Sequence, residues 1–458
     1  MTDFDVQELR EGLDGVVLVP GDESYDEARA LWNARFDRKP DLVARCQNAA
    51  DVQAAVNFAR THGMQLSVKG GGHAFAANTV GDGGLLIDLS PMKGVEIDPI
   101  RKNARLEPGL KWGEVDPVAQ EHGLAPVGGT VSTVGVAGFI LGGGSGYLSR
   151  RHGMAVDNLI SVDLVTAGGN LVHASEHENA DLFWAIRGGS GNYGVVTAFV
   201  VRLHEVGPEV LTGQIVHRLE DAPDLLRLYR EFMQGAPDEV QCYPFIFRVP
   251  PIPEFPQEFH GQVVIDLVLF HSDPSAEPVF QPLLDFGDPI LAFVVPQPYI
   301  VNQQAFDAGL PAGHRWESRA HQLTVLSDEL IETVLSRVAD LPGDFTSVYF
   351  DTGGGAIGRV DPSATAYPQR KEPYGFHIMA GWISPQQDEE VTAWTLDLHR
   401  ALEPFASGGV YVNVLGTGEE DRVPAAYGAN YDRLMELKRK WDPDNLFRVN
   451  HNIPPGDG

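Results

Sequence analysis

The chain has 458 residues, 43% apolar and 21% charged, which allows sizeable cores and argues against wholesale disorder. Its 63 carboxylates against 34 basic residues give a formal charge of −29. A phosphate field repels such a chain, so nucleic acid and anionic membrane surfaces are not expected as main partners. Two cysteines, Cys46 and Cys242, exclude a disulfide scaffold and a cysteine-rich metal or iron–sulfur site.

The opening MTDFDVQELREGL has no basic start, no apolar run and no small-residue cleavage site, so no secretory signal is expected. No stretch reaches about 18 uncharged apolar residues, so no membrane span is expected. A soluble cytoplasmic protein is the default. Ala49 to Gly63 carries a helical stripe through Val52, Ala55, Val56, Phe58 and Ala59. Gln65 to Lys69 reads as a short strand that runs into three glycines. Residues 85–90, 95–100, 160–167 and 195–203 read as strands, and 179–186 as a short helix.

From about Val206 glycine thins and proline rises. Strands at 261–270 and 347–355 alternate with a helix at 327–341, which suggests an antiparallel sheet with helices. A helix over 426–441 precedes a Pro/Asn-rich tail. The expected class is α+β. The expected division is 1–206, 207–410 and 411–458, the last segment returning to the first domain.

Glycine clusters at Gly70–Gly72, Gly142–Gly146 and Gly188–Gly194 mark turns or close backbone approach. Gly189-Ser190-Gly191-Asn192-Tyr193-Gly194 matches a dinucleotide fingerprint literally. That motif needs a strand before and a helix after, and here the order is reversed, so a Rossmann reading fails. HASEH (173–177) lacks the general-base Glu of a zinc protease and reads as an exposed turn, so no metal is expected. No GxSxG supports a serine hydrolase. VKGGGHAF (68–75) presents successive backbone N–H groups after a strand, which suits a pyrophosphate, with His73 at the lip; a Gly-rich turn with a solvated His is the equal alternative. The run at 130–159 is too glycine-rich for a helix. It suits close approach to a large flat ligand, and a buried loop among strands is the alternative.

Together these pieces resemble the flavin-linked oxidases of the berberine bridge enzyme family, within the vanillyl-alcohol-oxidase (PCMH-type) fold. KGGGHAF resembles the family's (R/K)xGGH loop. GGTVSTVGVAGFILGGGSGYLSRRHGMAVDNL (128–159) resembles its isoalloxazine and phosphate segment. LFWAIRGGSGNYGVVT (182–197) resembles its LFWALRGGGGNFGVVT stretch. YVNVLG (411–416) and YDRLMELKRKWDPDNLFRVNHNI (431–453) resemble its carboxy-terminal signature.

The resemblance implies a two-lobed FAD-binding domain and a substrate domain with a large antiparallel sheet backed by helices. It implies FAD bonded covalently from His73 to the flavin 8α-methyl group. The family's second link comes from a Cys whose position here is Val131, so a single link is expected. Implied flavin contacts are Lys69, Gly70, Gly71, Gly72, Ala74 and Phe75 in the first loop. The next are Gly128, Thr130, Ser132, Thr133, Gly138, Gly142, Gly143, Asp157 and Val196. Tyr411, Asn413, Asn450 and Asn452 would close the site from the carboxy terminus.

The implied reaction is hydride transfer from an alcohol or amine carbon of a small molecule to flavin, with oxygen as acceptor and hydrogen peroxide as product. Val134 occupies the family's oxygen-access position. In YGFHIMAGW (374–382) His377 falls where the family carries Glu or Gln. Alternation sets Gly375, His377, Met379 and Gly381 on one face, and two glycines beside one imidazole would leave room for a ligand. Tyr411 is the second catalytic candidate, as a polarising donor or a phenolate base. Ser145 and Val414 replace tyrosines of several family oxidases, so the pocket is expected to be less polar. Further substrate candidates are Tyr243, Phe245, Tyr299, Trp316, His321, Tyr367 and Arg370. A dehydrogenase with another acceptor and a non-catalytic flavin-binding protein are the alternatives.

Overall fold

The computed structural model describes residues 3–76 and 78–456, with side chains from residue 6 onward. Its strands form three main sheets, and the class is α+β. The first sheet contains β1 (Val16–Leu18), β2 (Leu42–Arg45), β3 (Leu66–Lys69) and β4 (Leu85–Asp88), in the order β1-β2-β4-β3. Its β2, β3 and β4 are parallel. The helix Ala49–Thr61 covers it: Asn48 caps the helix by accepting from the Asp51 N–H, and Val52, Ala55, Val56 and Ala59 are fully buried. This is the stripe that the sequence period shows.

The second sheet contains β5 (Val95–Asp98), β6 (Asn103–Leu106), β8 (Leu159–Val165), β9 (Leu171–Ser175) and β10 (Val195–Arg202), in the order β5-β6-β10-β8-β9. A short pair, β7 (Leu124–Ala125) with β11 (His204–Glu205), lies beside it. The helix Ala180–Ile186 precedes the Gly189–Gly194 motif and β10 follows it, the reverse of a dinucleotide fold. His173 is held by Asp163, at 2.8 Å, across β8 and β9.

The third sheet has seven antiparallel strands: β12 (Glu209–Arg218), β13 (Val240–Arg248), β14 (Val263–His271), β15 (Leu291–Pro298), β16 (Arg315–Leu323), β17 (Ser347–Thr352) and β18 (Tyr374–Trp382). Their order is β15-β12-β14-β13-β17-β18-β16. Pro296 and Pro298 lie in β15, at an edge, where a missing N–H leaves no ladder bond broken. One face packs on the helices Ala222–Gly235, Asp328–Val338 and Asp388–Leu402 through Ile215, Leu267, Val348, Phe376 and Ile378. The alternate residues, including Tyr243 and Val268, face Val127, Tyr147 and Leu148.

Two expected elements differ. The segment 130–159 does contain helix, Val136–Leu141 and Ser149–His152; in the first, Val136, Ala137 and Ile140 are buried and offset the cost of Gly138. The helix expected over 426–441 is broken into Val423–Tyr427 and Tyr431–Trp441, because Gly428 adopts φ +48°.

The carboxy-terminal helix Tyr431–Trp441 packs against the helix Ala180–Ile186. Fully buried Lys438 donates from Nζ to Asn192 O (2.7 Å), Phe447 O (3.0 Å) and Asp442 Oδ2 (2.6 Å). Removing one member of such a buried pair strands the other charge. Lys438→Met is expected to lower stability by about 3–5 kcal/mol, read by urea unfolding of the whole chain.

Candidate active site

The loop after β3 is the first part of the site. Among the described residues, no backbone N–H of residues 70–75 donates to a protein acceptor. Gly72 has φ +66°, so successive N–H groups turn to one side and form an anion-binding concavity. A Cβ on Gly71 would stand 2.4 Å from Gly135 Cα, and one on Gly135 would stand 2.6 Å from Gly71 Cα. The two glycines touch back to back, which brings the loop against the start of the helix Val136–Leu141. Gly138, one turn on, has nothing within 4 Å of its Cβ position and leaves that helix face bare.

His73 sits at this crossing, its Nε2 3.2 Å from Thr133 Oγ1. Trp32 stacks on the imidazole at 4.2 Å, and Trp316 stacks on Trp32 at 4.8 Å. Burial pushes the His73 imidazole down to about 4, so it is neutral at pH 7. Asn33, fully buried, ties the loop to the substrate sheet. It donates to Phe75 O (2.8 Å) and Trp316 O (3.0 Å), and accepts from the Trp316 N–H. Sequence reading missed Trp32 and Asn33, because nothing local marks a residue whose partners lie far away along the chain.

The opposite wall is the inner face of the seven-stranded sheet. Register places Asp266, Phe245, Tyr349 and His377 directly side by side across β14, β13, β17 and β18. Tyr349 stacks on Phe245 (4.7 Å) and on His377 (4.5 Å). His377 Nε2 lies 3.1 Å from Asp351 Oδ2, and its Nδ1 has no partner among the described residues. The carboxylate holds the proton on Nε2 and leaves the Nδ1 lone pair free. The space expected beside His377 is filled, which corrects the sequence reading. A Cβ on Gly375 would lie 2.3 Å from Asp351 Oδ1, and one on Gly381 would lie 2.4 Å from the Trp316 ring. The glycines admit a carboxylate and an indole.

Tyr411 closes the site from the carboxy-terminal segment. Its hydroxyl accepts from Gly144 N–H and from Asn413 Nδ2, both at 2.9 Å. Burial pushes its pKa up to about 12. The phenol is therefore a neutral donor at pH 7, with its own proton left for a ligand.

Between these walls lies a cavity of about 940 Å³, toward the upper end of the roughly 300–1,000 Å³ of ligand pockets. Gly70, Gly71, Gly72, His73, Ala74, Phe75, Thr130, Gly138, Val196, Asn413 and Asn450 line it. So do Ser145, Tyr243, Phe245, His377 and Tyr411, with Val131 and Val134. Neither cysteine does; both are buried elsewhere.

Other candidates stand behind the wall. Lys69 pairs with buried Asp88, Gly128 packs on the Trp112 ring, and Ser132 binds Asp307. Thr133 reaches the site through His73. Gly142 makes room for the Asn413 amide and Gly143 for the rings of Tyr367 and Tyr411. Asp157 is held bidentately by Arg370, at 2.7 and 2.8 Å, which removes both from ligand contact. Tyr299 is in a core cluster, Trp316 is covered by Trp32, Tyr367 braces Tyr411 edge-on, and His321 bonds His399 O. Residue type alone suggests these as substrate contacts, and stacking or ion pairing claims them first.

The residues fit a flavin dinucleotide. The unsatisfied N–H groups of the loop suit a pyrophosphate, the bare Gly138 face suits a flat ring, and neutral His73 adjoins both. Asn450, in the lining, holds a buried Oδ1 without a partner among the described residues, an acceptor suited to a ligand N–H or O–H group; Asn452 has a similar Oδ1 but does not line the cavity. Fold and cavity thus define a flavin-binding oxidoreductase.

Residues 40–175 match the family described as FAD binding domain, and residues 410–454 match berberine and berberine like. The chain is 30% identical to an FAD-linked oxidoreductase of Dictyostelium discoideum, covering 98% of this chain and 97% of the relative. It is 28% identical to (R)-6-hydroxynicotine oxidase of Paenarthrobacter nicotinovorans, covering 97% of each. The solved xylooligosaccharide oxidase from Myceliophthora thermophila, in complex with xylobiose, superposes with a TM-score of 0.87 at 26% identity, covering 99% of this chain and 100% of that one. The chain belongs to the berberine bridge enzyme-like family of FAD-linked oxidoreductases.

The Gly71–Gly135 contact is backbone against backbone, so no side chain can swing aside. Gly71→Ala is expected to abolish retained FAD, measured as flavin absorbance per protein after gel filtration, while far-UV circular dichroism persists.

Proposed function

We propose that this protein is an FAD-dependent oxidase. It removes hydride from an alcohol or amine carbon of a small molecule, with FAD linked covalently through His73 and oxygen as the final acceptor, giving hydrogen peroxide. The observation that carries this reading is the placement of the Gly70–His73 loop and the His377–Asp351 pair on facing walls of one cavity.

Bound flavin supplies the hydride acceptor and the route of electrons to oxygen. The chain supplies the rest. The loop N–H groups and Asn450 hold the dinucleotide. His73, neutral and stacked under Trp32, presents a nitrogen lone pair for the link. His377 takes the proton from the substrate O–H or N–H at Nδ1, and Asp351 stabilises the imidazolium that results. Tyr411, staying neutral, donates a hydrogen bond to the same substrate atom or its neighbour. Phe245 and Tyr349 form an apolar floor that excludes water. Val131, where a second linking residue would stand, supports a single link.

Three measurements test this. After acid precipitation, flavin absorbance should stay with the pellet of the wild type and leave it in His73→Ala. A colourless wild-type pellet from a yellow protein would remove the covalent link. His377→Ala should slow anaerobic flavin reduction by ~10²-fold or more. An unchanged rate would remove His377 from the mechanism. Flavin reduction by substrate without peroxide in air would convert the reading to a dehydrogenase.

A further inference from the structure

The inner face of the seven-stranded sheet holds one polar pair that the chemistry above does not use. Asp266, in β14, is only 1% exposed. Its Oδ2 accepts from Gln214 Nε2 at 2.9 Å, across β12 and β14. Its Oδ1 is buried and has no hydrogen-bond partner among the described residues. Both side chains line the cavity. A buried carboxyl with one oxygen unmatched is costly unless a ligand completes it. Burial, partly offset by donors from Gln214 and the Ile215 backbone, pushes the Asp266 carboxyl up to about 7.

Position adds to this. Asp266 and His377 end one straight row across four strands, with the stacked rings of Phe245 and Tyr349 between them. Three strand spacings of about 4.8 Å set the two ends ~14 Å apart. A molecule lying on the aromatic floor would therefore meet the reacting pair at one end and a lone carboxyl at the other.

Charge decides what that carboxyl takes. Asp266, Asp351, Asp344 and Glu254 line the cavity, and the one Arg or Lys among the described lining residues is Arg248. The Arg248 guanidinium is already held by Gly261 O (2.7 Å) and Leu341 O (2.8 Å). A cationic nitrogen gains from this field, an anion is repelled, and a neutral hydroxyl gains little.

We propose that Asp266, braced by Gln214, is a remote anchor for a basic nitrogen of the substrate, separate from the carbon that is oxidised. This rests on the reading of the cavity as the substrate site. The substrate class is then an extended amphipathic amine, with an apolar or aromatic body lying on Phe245 and Tyr349 and an ammonium group at Asp266. Asp266 becomes fully ionised when the ammonium docks, and Gln214 keeps Oδ2 occupied so that Oδ1 is presented.

Isothermal titration of the flavin-loaded protein with 4-phenylbutylamine and with its neutral counterpart 4-phenyl-1-butanol tests the anchor without turnover. The wild type should bind the amine at least tenfold more tightly than the alcohol. Asp266→Asn should abolish that preference and leave alcohol binding unchanged. Gln214→Leu, which leaves the carboxyl in place, should reduce the preference several-fold, and His377→Ala should retain it. Equal binding of amine and alcohol by the wild type, no binding of the amine, or a preference that survives in Asp266→Asn would each overturn the proposal. Peroxide assays run in parallel separate the two readings. A protein that shows the Asp266-dependent preference yet forms no peroxide keeps the anchor and loses the oxidase assignment.

Discussion

The site depends on two glycines that touch. Gly71 and Gly135 meet where the loop after β3 crosses the segment before the helix Val136–Leu141, with no room for a Cβ on either. This contact puts a loop of unsatisfied N–H groups beside a bare helix face, and it sets His73 against Thr133. A side chain at either position would push the two segments apart and separate the phosphate cradle from the ring surface. The remaining architecture holds this crossing in place. Lys69 and Asp88 fix the end of β3, Asn33 clamps Phe75 to Trp316, and buried Lys438 brings the carboxy-terminal tail with Asn450 over the cavity.

The second organising fact is the two-residue period of the large sheet. One face is a helix-backed core. The other presents a row of chemically different side chains in register, running from Asp266 through two aromatic rings to His377. A sheet suits this purpose because neighbouring strands hold side chains at fixed spacing on a rigid backing. The glycines of β18 act within that row. Gly375 lets Asp351 approach the imidazole, and Gly381 lets Trp316 lie flat beneath Trp32. The stack of Trp316, Trp32 and His73 couples the substrate sheet to the flavin loop, so the two walls of the cavity are positioned by common residues.

Local signals were legible wherever the chemistry is local. The alternation of β18 and the helical stripe of Ala49–Thr61 follow from spacing alone, and the reversed order around Gly189–Gly194 excluded a Rossmann fold. Continuous motifs such as KGGGHAF carried the flavin loop, because successive N–H groups come from one short segment. The residues missed share one property: their partners are distant in the chain. Asp351, Asp266 and Gln214 look like ordinary strand polars until register aligns β12, β14, β17 and β18. Arg370 and Trp316 looked like ligand contacts by type, and Asp157 and Trp32 had already claimed them.

By itself the sequence determined the α+β class, the strongly acidic charge balance, the glycine-rich loops and the histidine beside them, since each follows from composition or from neighbours along one segment. Only the tertiary structure decided which carboxylates face the cavity, that Tyr411 is a donor with its oxygen already twice bonded, and that the glycines of β18 receive Asp351 and Trp316. Burial, strand register and competition for partners are properties of segments brought together, and no single segment records them.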